Sequence, residues 1–192
     1  VSGIQTNGDN DDWPLEGPVY YVFSKLVQLP KGTTITDTNL DTYLEEYCTF
    51  AFGADAAGDM IDFFNALYAR VDDTADQELY NKNPQWCFTN VYRPSDITGL
   101  EASLAAAEAA VDSDDRHVNY LAMVRITFDL LKCFVNMYEA QHVYLEHAKT
   151  PNEEKTALED LRDAVTDWLN AKSTIITNST SEYFPGSADA VN

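Results

Sequence analysis

DDRHVNYLAMVRITFDLLKCFVNMYEAQHVYLEHA, residues 114–148, carries the strongest periodic signal in the chain. Val118, Leu121, Val124, Phe128, Leu131, Val135 and Tyr138 recur at steps of three and four, the spacing that lines up one face of an α-helix. At ~1.5 Å per residue the run spans on the order of 50 Å, long enough for a globular helix to kink. So long an apolar stripe needs partners along its whole length, and the neighbouring segments supply them.

Downstream, Thr150, Pro151 and Glu153 form a capping box with proline at the first helical position. They open a helix whose predicted buried stripe is Leu158, Leu161, Val165, Trp168 and Leu169, returning antiparallel to its predecessor. Upstream, Ser95 is the expected cap of an alanine-rich helix with Leu100, Leu104 and Val111 facing inward. Residues 72–94, with Asn81, Asn83, Pro84 and Pro94, read as an ordered loop or short helices. Two further helices precede it. One has Met60, Phe64, Leu67, Tyr68 and Val71 on a face; the other has Leu40, Tyr43, Leu44, Tyr47 and Cys48, with Thr38 as expected cap and Gly53 past its end. Val19 to Leu29 reads as a buried helix with Pro18 near its first turn.

The fold class is therefore mainly α: an antiparallel helical bundle of five or six helices with short strand-like segments at the two ends. Those segments are VSGIQT and the β-branched TIITNST. A lone strand leaves its backbone groups unpaired, so the two ends are expected to pair with each other or with strands outside this chain. The first residue is Val, which leads us to expect a processed chain or a segment of a longer one.

Composition narrows the function. The chain has 192 residues, 45% hydrophobic and 12% aromatic, enough for one good-sized core, and a formal charge of −20. Phosphate backbones and anionic membranes both select for positive surfaces, so neither a nucleic-acid nor a membrane partner is expected. No apolar run approaches the ~20 residues needed to cross a bilayer. Cys48, Cys87 and Cys133 show no CxxC pairing and read as buried thiols.

Motifs for chemistry are sparse. Asp9, Asn10, Asp11 and Asp12 invite comparison with a calcium loop, but Trp13 and Pro14 occupy the fifth and sixth positions and Tyr20 the twelfth. Glu139 and His142 have the ExxH spacing of di-iron bundles, without the second ExxH such sites need. His142 and His147, five apart, pair poorly on an α-helix. The acidic stretch reads as a solvated turn or else a site for a cation or a sugar hydroxyl, the Glu139 and histidine set as a polar helix face, and no metal, cofactor or catalytic residue is assigned. One set suits a sugar: Gln5, Asn7 and Asp9 for hydroxyls, with Trp13 as a stacking face or, alternatively, a staple for the following helix.

YYVFSKLVQLP, LDTYLEEYCTFAFGADAAGDMIDFFNAL and VYRPSDITGLEASLAAAEAAVDSDDRHVNYLAMVRITFDLL together resemble the C-terminal part of a domain of unknown function in secreted bacterial glycoside hydrolases. That group is similar to endo-β-N-acetylglucosaminidases and, more distantly, to α-glucuronidase-like enzymes. The resemblance covers about Gly3 to Leu131 and rests on Tyr21, Lys25 and Leu26, on Phe52-Gly53 followed by Ala54, Ala56 and Ala57, and on Arg116-His117-Val118. The chain departs from it at Val27-Gln28-Leu29-Pro30, where members often carry Trp-Asp-Pro, and at Phe52, where they often carry Tyr.

The resemblance implies that residues 1–30 are the last strand and helix of a truncated (β/α)8 barrel, 31–172 a helical bundle domain, and 173–192 a tail or the start of a following segment. By it, the chain is an accessory domain of a secreted, periplasmic or cell-surface protein. It supports an upstream catalytic barrel and lends one loop, with Gln5, Asn7, Asp9 and Trp13, to a carbohydrate cleft, and it is inactive alone. The alternative is a self-contained helical protein- or glycan-binding module without catalysis, using an aromatic patch around Trp86, Phe88 and Tyr92.

Overall fold

The computed structural model describes residues 13–72 and 91–179. Six α-helices and no strand occur among the described residues: α1 Trp13–Leu26, α2 Asp37–Phe52, α3 Ala54–Asp72, α4 Pro94–Ala110, α5 Asp115–His142 and α6 Pro151–Ser179. A π-helical turn, Val143–His147, extends α5.

The core lies where α1 to α4 meet the first half of α5. Phe52, Phe63, Phe64, Met60, Leu100, Leu104 and Phe128 are fully buried there, each removing about 1.5–3 kcal/mol worth of apolar surface from water. Phe63 meets Phe64 edge-on at 5.3 Å and Phe128 at 5.6 Å between ring centroids, the geometry that aromatic quadrupoles favour. Polar ties join the helices around this centre. The Tyr68 hydroxyl donates to the Leu15 carbonyl at 2.7 Å, and the Tyr92 hydroxyl to the Leu67 carbonyl at 3.1 Å.

The corner between α2 and α3 turns on Gly53, at φ 84° and ψ 160°. That conformation is essentially restricted to glycine. A Cβ at this position would lie 2.8 Å from Asp112 Oδ2 and 2.9 Å from His117 Nδ1, so the corner also sits tightly against the junction of α4 and α5. Asp112 accepts from the Asp114 backbone N–H and pairs with His117 at 2.9 Å; the two contacts hold its carboxyl below the usual range.

Several expectations shift. α1 starts and stops earlier than Val19 to Leu29, so Pro18 lies inside the helix rather than near its first turn. Tertiary packing overrides the local penalty of an interior proline: Pro14 and Pro18 are both buried, and Gly17 leaves room for the Tyr47 hydroxyl. The cap of α2 is Thr36 instead of Thr38, because Asn39 Oδ1 reaches back to the Thr36 N–H at 3.1 Å and its hydroxyl at 2.9 Å. α4 starts one residue before Ser95. Arg93, extended as residues before proline must be, holds the cap position, and its N–H donates to Asp96 Oδ2 at 2.9 Å.

Of the expected strands, VSGIQT lies outside the described residues. The TIITNST segment is no strand as far as Ser179, where it forms the end of α6. β-branched residues disfavour helix by only a few tenths of a kcal/mol each, and extending an existing helix needs no new nucleus. The α5 stripe holds from Leu121 to Val135, whereas Val118 at its start is 42% exposed. The α6 stripe is corrected more deeply. Ala157 is buried, Leu161, Val165 and Trp168 are half-buried, and Leu158 and Leu169 are 47% and 51% exposed. α6 packs mainly on α5, and one neighbour cannot cover so wide a stripe.

Candidate functional site

The second half of α5, the π turn and α6 form an antiparallel hairpin. Its bend is built as the sequence indicates. Glu153 Oε2 accepts the Thr150 N–H at 2.9 Å and the Lys149 N–H at 3.0 Å, while the Glu153 N–H donates to Thr150 Oγ1 at 3.3 Å. The Lys149 and Thr150 contacts hold the Glu153 carboxyl below its ordinary range.

Along one side of this hairpin run three recesses of about 390, 260 and 350 Å³. The first two share Val143, Ala157 and Asp160, and the second and third share Asn136, so they adjoin as one groove. Its apolar lining combines small side chains, Ala140, Val143, Ala157 and Ala171, with Ile126 and Cys133 of α5 and Pro94 at the start of α4. Its polar lining is acidic and carboxamide-rich. Asp129, Asn136 and Glu139 come from α5; Asp160, Asp167 and Asn170 come from α6.

The carboxylates differ in their surroundings. Burial pushes Asp129 above its ordinary range, although Arg125 Nη1 stands 3.5 Å away. That arginine is already committed to Glu108 at 2.7 Å and Glu101 at 2.6 Å. Glu139, Asp160 and Asp167 make no ion pair with any described residue. Lys132, a basic side chain of the groove, gives its ammonium to Glu101 Oε2 at 2.8 Å. The remaining basic lining group is the exposed His147.

The π turn brings His142 and His147 together, their rings edge-to-face at 5.1 Å. An α-helix would have kept residues five apart on different faces, which is why the sequence spacing reads as a poor pairing. No group of three or more His, Cys, Asp or Glu suited to a metal occurs among the described residues. Glu139 lines the groove wall.

Gln5, Asn7 and Asp9, the residues expected to bind carbohydrate, lie outside the described residues. Trp13 begins α1, and its side chain lies outside the described part of the structure. Of the expected aromatic patch, Trp86 and Phe88 also lie outside. Tyr92 packs against the core instead of standing free, and burial pushes its hydroxyl up to about 12. Cys48 is fully buried, with a thiol pushed by burial up to about 12; Cys133 is half-buried and also raised by burial. Both keep their protons near neutrality and are poor nucleophiles. Cys87 lies outside the described residues.

No family model, curated protein or solved structure matches this chain.

Proposed function

We propose that the chain is a helical binding module that works through the α5–α6 groove and performs no chemistry of its own. The observation that carries this reading is the groove's construction: three carboxylates, Glu139, Asp160 and Asp167, without ion-pair partners among the described residues and carboxamides on both walls, over a mostly apolar floor in which three alanines take part. Such a surface offers hydrogen-bond acceptors and charge to a ligand, and its floor lets another molecule approach closely. The test is a pair of measurements on the full chain, namely binding before and after Asp160→Lys/Asp167→Lys, and folding by circular dichroism. The reading expects lost binding with unchanged helicity. Binding that survives the charge reversal overturns it.

A second reading places the module beside a glycoside hydrolase-like barrel and exports the two together. It is favoured by the apolar side chains that α1 and α2 leave exposed and by one just past α1, Val19 at 51%, Phe50 at 56% and Val27 at 45%, a surface suited to a neighbouring domain. Full glycosidase activity of this chain alone would sink that reading.

A further inference from the structure

The groove specifies its occupant through charge and spacing, an inference that rests on the binding-module reading. Asp160 and Asp167 stand two turns apart on α6, ~10.5 Å at 1.5 Å per residue, and Glu139 faces the same recess as Asp160 from α5. None of the three is neutralised by an ion pair with a described residue. Between these walls Ala140, Val143, Ala157 and Ala171, with Ile126 at one end and Pro94 of α4 beside the middle recess, make an apolar floor against which a third helix can seat. A repeat of two turns on one wall matches the same repeat on a helix lying alongside it, where positions i and i+7 share a face.

We propose that the groove docks a basic amphipathic helix of a partner protein. Its apolar stripe lies on the alanine-rich floor, and lysine or arginine side chains seven residues apart reach Asp160 and Asp167. Charge complementarity selects this occupant: a second copy of a chain carrying −20 brings like charges together, and an acidic helix meets the same repulsion. Helix-in-groove docking draws its affinity from the apolar stripe and its selectivity from the flanking charges.

The experiment titrates the full 192-residue chain, followed by backbone amide resonances, with three probes. They are a 21-residue Ala/Leu/Lys peptide with lysines at i and i+7, the same peptide with glutamate for lysine, and cellohexaose. A groove variant, Glu139→Gln/Asp160→Asn/Asp167→Asn, is compared with an equal-charge control on exposed positions of α2 and α3, Asp41→Asn/Glu45→Gln/Asp62→Asn. The expected result is that the lysine peptide shifts amides of residues 136–143 and 157–171. Its affinity falls at least tenfold in the groove variant and less than twofold in the control, and the glutamate peptide shows no binding.

An equal fall in both variants, or shifts mapping elsewhere, overturns the proposal by showing general attraction to an acidic protein. Groove shifts with cellohexaose but not with the lysine peptide overturn it while leaving the binding-module reading standing. A dimer by sedimentation whose interface covers the groove also overturns it. Silence of the groove with all three probes removes both proposals together.

Discussion

α3 and α6 are long amphipathic helices of the same chain, yet α3 buries Ala56, Ala57, Met60, Phe63, Phe64 and Leu67, whereas Ala157 is the buried hydrophobic residue of α6 among those described. Their sequences differ less than this outcome, since α6 also carries three leucines, Val165, Ile175, Ile176 and a tryptophan. The difference lies in what surrounds them. α3 packs against both α2 and α4, and its Phe63 reaches Phe128 of α5; α6 has α5 and the π turn. An apolar stripe becomes core in proportion to the neighbours that close over it. The two regions should therefore respond differently to the same kind of damage.

The largest effect is expected in the first region. Phe64→Ala should destabilise by about 3–5 kcal/mol, measured by urea unfolding, whereas Val165→Ala on the half-buried face of α6 should lose about 1 kcal/mol or less. Equal losses would mean that Val165 is packed as closely as the core. Next comes Gly53→Ala, which forces a Cβ into a glycine-only conformation at about 1–3 kcal/mol. Adding His117→Ala should recover the part due to crowding against His117 and leave the parts due to φ and to Asp112, a distinction read from the double-mutant cycle.

In the hairpin, Thr150→Ala removes half of the capping box and should lose about 1 kcal/mol. Its signature is faster amide exchange confined to the first turns of α6, with α3 unchanged. If α3 amides speed up equally, the two regions unfold as one.

The smallest effects are electrostatic, and their signs are opposite. Glu101 lies below its ordinary value of 4.5: burial opposes the shift, but Lys132 and Arg125 outweigh it. Its stabilising contribution is present above that value and is lost as pH falls through the lower folded-state pKa. Asp129 lies above its ordinary value of 3.8 because burial dominates. Its charge therefore weakens the fold increasingly as pH rises through the window above 3.8. Asp129→Asn should raise neutral-pH stability by about 0.5 kcal/mol or less, given its partial exposure, and the gain should vanish in acid, as pH-dependent thermal unfolding would show.

Legibility in the sequence tracks the range of the interactions. The capping box at Thr150 and Glu153 is decided within four residues, and the sequence indicates it correctly. So is the central stripe of α5 from Leu121 to Val135, because 3.6-residue periodicity is local. Pro18 inside α1 is not legible, since Pro14, Pro18 and Gly17 are settled by Tyr47 and Tyr68 from other helices. The exposed Leu158 and Leu169 fail for the same reason: a stripe reveals a face without revealing who covers it.

The groove is also invisible in the sequence as a site, its acids reading as solvated faces. A signal exists nonetheless. Asp129, Asn136 and Glu139 on α5, and Asp160 and Asp167 on α6, fall at steps of three and seven beside the apolar stripes. Only the antiparallel pairing of the two helices turns those polar rows into opposing walls.

The π turn has a consequence for chain length. A turn closed from residue i to i+5 stores one residue more than the α turn it replaces, and here the Ala148 N–H reaches the Val143 carbonyl at 3.1 Å. The segment thus behaves as a helix carrying a single-residue insertion that the ladder absorbed without breaking. Removing one residue between 143 and 147 would let ordinary α pairing resume. Because the wider turn had absorbed that residue, the downstream chain would keep its phase, and His142 and His147, then four positions apart, would share a face of an ordinary α-helix.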